Sequence, residues 1–202
     1  MGIISLIVLS YLIGSIPSGF LVAYFVKGID IRKFGSGNIG ATNVFRVVGR
    51  KWGIFVFILD FLKGFLPLFL VKSYVGGTSH IHIAAVLVTV FTVCGHNWTI
   101  FLRFKGGKGV ATSLGAMTGL SLIFPKLWIV LVFSLCIWVI VFLVSRFVSL
   151  ASIFAAAAFL VFSFIFSLSK EVKILSFLLF IFILLRHKKN IKRLLNRREN
   201  RF

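Results

Sequence analysis

Two segments of the chain carry the residue types that bind phosphate. The first runs from Asp30 to Arg46 and alternates glycines with serine, asparagine and threonine. Glycines allow a backbone with positive φ, so successive N–H groups can line an anion site. Neutral donors and a guanidinium suited to phosphate come from the same run, and we predict substrate binding by Ser36, Gly37, Asn38, Thr42, Asn43 and Arg46. The alternative is a flexible loop whose basic residues only set membrane orientation.

The second segment places glycines and lysines immediately before a predicted helix. Its predicted substrate-binding residues are Lys105, Gly106, Gly107 and Lys108. Free N–H groups at a helix N-terminus favour anions. The segment does not match the nucleotide-binding pattern G-x-x-x-x-G-K-[ST], so the pattern predicts a phosphate site and not an ATP site.

Three ionisable residues lie in or beside apolar stretches. His96 precedes the second segment and is our candidate catalytic residue, as a general base or a hydrogen-bond donor; the alternative is a histidine satisfied by a neighbour. Asp60 and Lys63 stand three residues apart in one apolar stretch, hence on one helix face. They either neutralise each other or form a site in which Asp60 holds a Lys63 that faces an anionic ligand.

The chain offers few ligands for a metal. Its four acidic residues include no paired carboxylates, and Cys94 and Cys136 lie in different apolar stretches. We therefore expect no metal and no cofactor.

The elements that must position these residues are membrane-spanning helices. Hydrophobic residues make up 59% of the 202 residues, the mean hydropathy is +1.09, and only 13% are charged. A span needs roughly 20 apolar residues. We predict an all-α, polytopic bundle of seven transmembrane helices near Ile3–Val26, Gly53–Val71, Ile81–Leu102, Val110–Phe124, Leu127–Ser145, Val148–Leu168 and Val172–Leu185. The fourth is short and glycine-rich, which allows a broken or re-entrant segment.

The distribution of Lys and Arg predicts the orientation. With the N-terminus outside and the C-terminus cytoplasmic, 18 of the 23 basic side chains lie in cytoplasmic loops and the tail, and four lie outside. This asymmetry explains the net charge of +19 without nucleic acid, which we do not expect as a partner. The basic tail from Arg186 is expected to lie on anionic lipid headgroups.

Several long motifs occur in the order found in one enzyme family. They are Gly14-Ser15-Ile16-Pro17-Ser18-Gly19, the Gly35–Arg46 block, Asp60-x-x-Lys63-Gly64, Gly95-His96-Asn97 with Lys105-Gly106-Gly107-Lys108-Gly109, and His187-x-x-Asn190-Ile191-x-Arg193-Leu194. Together they resemble the bacterial membrane acyl-phosphate:glycerol-3-phosphate acyltransferases, the PlsY family, over essentially the whole chain. One departure lies in the tail, where Asn196 to Glu199 lacks the glycine that the family typically has there.

The resemblance implies a single integral membrane acyltransferase domain over residues 1–202 and a seven-helix fold in the bacterial inner membrane. It implies acyl transfer from acyl phosphate to the sn-1 hydroxyl of glycerol 3-phosphate, giving lysophosphatidic acid, with the active site facing the cytoplasm and Asn190 among the substrate-binding residues. Other glycerophosphate acyltransferases carry a His followed five residues later by Asp, and no His here has that partner. The base is therefore either His96 or a phosphate oxygen of the acceptor.

A second class of function fits some of the same residues. An anion or phosphate-ester transporter also combines cations with broken helices, but transporters usually show duplicated halves and a site near the midplane. Seven spans do not divide evenly, and the polar motifs gather on one side. Acyl-chain preference and oligomeric state do not follow from the sequence.

Overall fold

The computed structural model describes residues 2–202, and these form nine α-helices, two short 3₁₀-helices and no strand. The α-helices are α1 (Ile3–Ser15), α2 (Ser18–Lys27), α3 (Ala41–Val47), α4 (Arg50–Val75), α5 (Ile81–Asn97), α6 (Val110–Leu120), α7 (Leu127–Ser145), α8 (Val148–Ile165) and α9 (Lys170–Leu195). The 3₁₀-helices are Ile31–Lys33 and Ile100–Leu102. The all-α prediction is confirmed.

Five segments of the described chain are long and apolar enough to cross a membrane. They are Ile3–Lys27, Arg50–Val75, Ile81–Leu102, Leu127–Ser145 and Val148–Ile165. Helix α6 has 11 residues, about 16 Å of rise against a hydrocarbon core of about 30 Å. Helix α9 has 26 residues, but its C-terminal part is strongly basic. The chain is a multi-pass membrane protein, and the count of seven spans stays a prediction.

The first predicted span is not one continuous helix. Helix α1 ends at Ser15 and α2 begins at Ser18, so Ile16 and Pro17 form a break. Proline has no N–H to donate and its ring clashes with the preceding turn, which explains the break. Apolar residues continue through both helices, and for this reason the sequence predicted a single helix.

Other predicted boundaries also shift. Helix α5 ends at Asn97, five residues before the predicted end, and α6 ends at Leu120 instead of Phe124. Helix α9 continues ten residues beyond Leu185, so the first part of the basic tail extends the last helix. Hydropathy marks where side chains are apolar, whereas backbone hydrogen bonds decide where a helix ends.

The chain divides into two compact units, of which the first ends at Ile123 and the second is Phe124–Phe202. In the first unit, helices approach closely through glycines. A Cβ at Gly64 would overlap the carbonyl of Thr112, and one at Gly115 would overlap that of Phe61, so α4 and α6 touch backbone to backbone. Gly95 is similarly placed against α1. Small residues allow this packing, which is common between membrane helices.

The second unit contains α7, α8 and α9. Trp138 on α7 donates to the hydroxyl of Ser152 on α8 at 3.3 Å, and the hydroxyls of Ser163 on α8 and Ser176 on α9 are 3.0 Å apart. These hydrogen bonds join the three helices in sequence order. The last residues return to the turn between α7 and α8, where the Phe202 N–H donates to the carbonyl of Arg146 at 2.9 Å.

Candidate active site

The first glycine-rich segment, Asp30 to Arg46, is held in shape by one buried amide. The Oδ1 atom of Asn43 accepts the Ser36 N–H at 2.9 Å, while its Nδ2 atom donates to the carbonyls of Asn38 at 2.9 Å and Phe34 at 3.1 Å. A third carbonyl, of Ile31, lies 3.4 Å from Nδ2. Asn43 thus satisfies backbone groups of a loop that has no regular structure, and its amide fixes the shape of that loop.

This loop rests on α2. A Cβ at Gly19 would overlap the carbonyl of Ile39, and the Lys27 ammonium donates to the Val47 carbonyl at 2.7 Å. Ile39 belongs to a buried apolar cluster that includes residues of α2. These contacts fix the position of the first segment on α2.

The start of the segment is closed by an ion pair outside the membrane span. Asp30 accepts the Arg32 backbone N–H at 3.0 Å and pairs with its guanidinium at 2.7 Å. The hydrogen bonds from Arg32 lower the pKa of the Asp30 carboxyl to about 2, so it is ionised at neutral pH. Within the segment, Gly37 has φ of +72°, a conformation that favours glycine.

The second segment folds back onto the end of α5. The Gly106 N–H donates to the Asn97 carbonyl at 3.2 Å, and the Gly107 N–H donates to the His96 carbonyl at 3.0 Å. A Cβ at Gly107 would overlap Nε2 of the His96 ring, so only glycine fits there. Gly109, with φ of +78°, leads directly into α6. The sequence therefore needs glycine at these positions to lay a backbone across the histidine.

Asp60, Lys63 and His96 form one buried cluster. The Lys63 ammonium lies 2.8 Å from Oδ1 of Asp60, and the same oxygen is 3.8 Å from Nδ1 of His96. Exposed fractions are 3% for Asp60, 6% for Lys63 and 4% for His96. Asp60 and His96 thus come from different helices, α4 and α5, and meet only in the folded chain. Lys63 also donates to the Ile16 carbonyl at 2.8 Å.

The cluster lies well inside the membrane-spanning helices. Asp60 is ten residues from the start of α4 at Arg50, about 15 Å along the helix axis. His96 and the second segment share this level because of their contacts with Asp60 and with each other. The second segment therefore lies beside His96, at the level of Asp60 along α4.

Polar atoms without a hydrogen-bond partner gather in the same part of the first unit. They include the hydroxyls of Ser15 and Thr112 and both side-chain polar atoms of Asn97, three residues that are fully buried. A Cβ at Gly109 would come within 2.7 Å of the Asn97 Oδ1 atom, so this amide lies directly against the second segment. Buried polar groups normally have partners, and a polar substrate is one way to supply them.

Sequence reasoning singled out most, but not all, of this cluster. Asn97 was not among the predicted site residues, although it follows His96 directly, and Asp60 was weighed only as the partner of Lys63. The signal for Asp60 was an acid in the middle of an apolar span, since such residues are rare unless functional. The signal that would have found Asn97 is its place in Gly95-His96-Asn97, just before the glycine loop.

The remaining predicted residues differ in exposure. Arg46 on α3 and Lys105 are exposed, whereas Thr42 and Lys108 are half-buried. Asn190 lies on α9 in the second unit, where its amide donates to Oε1 of Glu199 at 2.5 Å. Glu199 also accepts from Arg193 at 2.8 Å. Within that unit, Asn190 thus anchors the end of the chain.

Comparisons with known proteins give one consistent result. A family model described as glycerol-3-phosphate acyltransferase matches residues 4–197. The glycerol-3-phosphate acyltransferase of Aquifex aeolicus is 44% identical over 198 residues, which cover 98% of this chain and 97% of that protein. The protein of the same name from Bacillus subtilis is 44% identical over 194 residues, covering 96% and 94%.

Solved structures agree. The crystal structure of PlsY (YgiH), an integral membrane glycerol 3-phosphate acyltransferase, in its glycerol 3-phosphate form has a TM-score of 0.88 and 41% identity. Its lysophosphatidic acid form has a TM-score of 0.85 and 40% identity. Each comparison covers 99% of this chain and 95% of that chain.

Proposed function

Because the chain belongs to the glycerol-3-phosphate acyltransferase family, we propose that it transfers a fatty acyl group from acyl phosphate to the sn-1 hydroxyl of glycerol 3-phosphate. The products are lysophosphatidic acid and inorganic phosphate. Donor and acceptor both carry phosphate, and the chain has two glycine-rich, basic segments. The observation that carries the proposal is the second segment, whose glycines lie across the buried His96 between two lysines.

The proposed substrate-binding residues are those that the sequence predicts. Arg46, Lys105 and Lys108 supply positive charge, and the first segment supplies backbone and hydroxyl donors. Asn43 acts through the shape of that segment, which its amide holds. The full set is Ser36, Gly37, Asn38, Thr42, Asn43, Arg46, Lys63, Lys105, Gly106, Gly107, Lys108 and Asn190. Lys63 is kept from the sequence prediction, but its contacts with Asp60 and the Ile16 carbonyl support positioning of the two segments and not direct contact with substrate, as argued in the next subsection.

In the reaction, the hydroxyl oxygen of glycerol 3-phosphate attacks the acyl carbon of the mixed anhydride. A carbon–oxygen ester bond forms, the bond from the acyl carbon to the phosphate oxygen breaks, and phosphate leaves with that electron pair. Cations and backbone N–H groups stabilise the negative charge that develops on the acyl oxygen and the departing phosphate. No metal or cofactor is needed in this scheme, because the anhydride is already activated.

The hydroxyl proton needs an acceptor, and we propose His96. Its Nδ1 atom lies 3.8 Å from the Asp60 carboxylate, whose negative charge would stabilise the imidazolium that forms when the ring takes up the proton. Its Nε2 atom faces Gly107 in the second segment. A phosphate oxygen of the acceptor is the alternative base.

The fatty chain needs an apolar surface, and the first unit contains one. A cavity of about 620 Å³ lies between α2 and α4, lined almost entirely by apolar side chains such as Leu21, Phe25 and Leu59. Lys63 is its one charged lining residue. An acyl chain fits this lining, because it can fill an apolar cavity without leaving a buried polar group of the protein unpaired.

The membrane arrangement is also proposed. We propose seven spans in the bacterial inner membrane, with the N-terminus outside and the C-terminus and active site on the cytoplasmic side, as the charge asymmetry favours. Residues 1–202 form one acyltransferase domain in this proposal, which the match of one family model to residues 4–197 supports.

The decisive experiment is an assay on the purified protein. Incubation with acyl phosphate and labelled glycerol 3-phosphate should give labelled lysophosphatidic acid, with a chelator present and without ATP. Acyl-CoA in place of acyl phosphate is the matched control and should give no product. Strict dependence on acyl-CoA, ATP or a divalent metal would refute the proposed donor and mechanism.

A further inference from the structure

Lys63 is a charged residue in the middle of an apolar helix, and two oxygens of the chain itself already engage its ammonium. It lies 2.8 Å from the Asp60 carboxylate and donates to the Ile16 carbonyl at 2.8 Å. An ammonium has three hydrogens, so only one is left for any other partner. If Lys63 served chiefly as a phosphate ligand, we would not expect two of its three N–H donors to be bound by oxygens of the protein.

The carbonyl that Lys63 engages belongs to the helix break. Residues around a break at membrane depth lose helical partners, and each lost hydrogen bond is costly in hydrocarbon. The Ile16 carbonyl keeps one backbone partner, the Ser18 N–H at 3.0 Å, and side chains of other elements supply further donors at the break. Thr99 donates to the Ser15 carbonyl at 2.5 Å and Lys63 to that of Ile16.

The break decides where the first segment lies. Helix α2 begins just after it, and the Gly35–Arg46 block rests on α2 through the contact of Gly19 with Ile39. The second segment is fixed elsewhere, on the carbonyls of His96 and Asn97 at the end of α5. Lys63 and Asp60 connect these two parts, because they contact Ile16 on one side and His96 on the other.

We propose that Lys63 is a positioning residue for acyl transfer, which holds the Ile16 carbonyl at the helix break with Asp60 as its counter-ion. By this contact it fixes α2 and the first segment relative to α4, α5 and the second segment. The inference rests on the proposed acyl transfer and concerns how the two segments are aligned for it. Each segment keeps its own phosphate-binding groups when the contact is lost, but their alignment suffers.

The expected signature is a fall in kcat without a matching rise in KM. Misplacement of reacting groups by about 1 Å costs on the order of 10²-fold in rate. We expect Lys63→Met to lower kcat by about that factor while KM for glycerol 3-phosphate and for acyl phosphate stays within about threefold. Lys72→Met, the same exchange at an exposed position of the same helix, is the matched control and should leave both constants unchanged.

Lys63→Met also leaves the buried Asp60 carboxylate without its cation, which alone can destabilise the protein. The double variant Asp60→Asn, Lys63→Met removes both charges and should restore the melting temperature to near that of the wild type. Its kcat should stay low, because the Lys63 donor to Ile16 is absent and His96 has also lost the Asp60 carboxylate. A second variant with the same Asp60 change therefore isolates the effect of the donor. Asp60→Asn, Lys63→Gln carries a neutral donor at that position and should recover part of the lost kcat.

The outcomes separate the possible roles of Lys63. A rise in KM with unchanged kcat would make Lys63 a substrate ligand and would overturn the inference. Wild-type kcat in the Asp60→Asn, Lys63→Met variant would also overturn it, because the loss of kcat in Lys63→Met would then come only from the unpaired Asp60 charge. A neutral double variant that does not fold would show that the pair is needed for folding itself, which also contradicts a role confined to positioning. Wild-type turnover is measured first, and its absence counts against the proposed function instead.

Discussion

At the scale of single residues, the cations of the two segments carry the strongest expectation. Arg46→Ala and Lys108→Ala should each lose roughly 1.5–3 kcal/mol of substrate or transition-state binding, the scale of a charge-assisted hydrogen bond. The measurement is kcat/KM for glycerol 3-phosphate and for acyl phosphate with each variant. Arg50→Ala removes an equal charge from an exposed position at the start of α4 and is the control. If both variants fold and their kinetics are near normal, the two segments are better interpreted as flexible loops whose basic residues only set membrane orientation.

His96 gives a second prediction at this scale. A general base typically contributes about 10²–10⁴-fold, so His96→Gln should lower kcat by that order. Glutamine can still donate a hydrogen bond but does not take up the proton at neutral pH, so the exchange separates the two roles. If kcat stays within a few-fold and KM for glycerol 3-phosphate rises, His96 is a binding residue. The acceptor's own phosphate then becomes the base.

The role of a residue was predictable from sequence where the role depends on the side-chain type alone. It was less predictable where the role depends on which groups the side chain contacts. Asn43 illustrates the difference. Its sequence context predicted a donor to substrate, and the structure shows its amide bonded to Ser36, Asn38 and Phe34 of its own loop. Which partner a buried amide takes depends on how the chain folds around it, and a lone sequence does not contain that information.

At the scale of helices, the backbone contact of α4 and α6 is directly testable. A Cβ at Gly115 would overlap the Phe61 carbonyl, and because this neighbour is backbone it has little room to give. Gly115→Ala should therefore destabilise the protein by about 1–3 kcal/mol, the usual effect of overpacking. The measurement is the thermal unfolding temperature in detergent.

The control for this prediction is Gly2→Ala, because nothing lies within 4 Å of an added Cβ there. The two variants should differ clearly in unfolding temperature. Equal values would mean that α4 and α6 are not in backbone contact, and the placement of Asp60 and Lys63 against the second segment would need revision.

Helices were predicted more reliably than their ends. The apolar stretches located the helices, but the break at Ile16 and Pro17 and the early end of α5 were missed. Pro17 was visible in the sequence as a possible breaker. What the sequence did not show is that Thr99 and Lys63 satisfy the carbonyls of the break, and a break is tolerable within a membrane only with such partners.

At the scale of the whole molecule, the charge asymmetry predicts the topology. A reporter fused after Phe202 should be cytoplasmic, and one at the N-terminus should be external, because 18 basic residues lie on one side of the predicted map and four on the other. Reporter activity in intact cells is the measurement. Finding both ends on one face would require an even number of spans and would exclude seven.

The sequence by itself determined the class of the protein, the residue types of the two segments that we propose bind phosphate, and the family that those motifs resemble. Hydropathy, charge and motifs are local properties, so they can be read along the chain. Only the tertiary structure decided that Asp60 of α4 and His96 of α5 meet, and that Lys63 closes a break in another helix. These contacts join residues 36 and 47 positions apart. They depend on the close, glycine-mediated approach of α1, α4, α5 and α6. Hydrocarbon contains no water to solvate a buried charge or a free carbonyl, so these groups are stable there only when they bind each other.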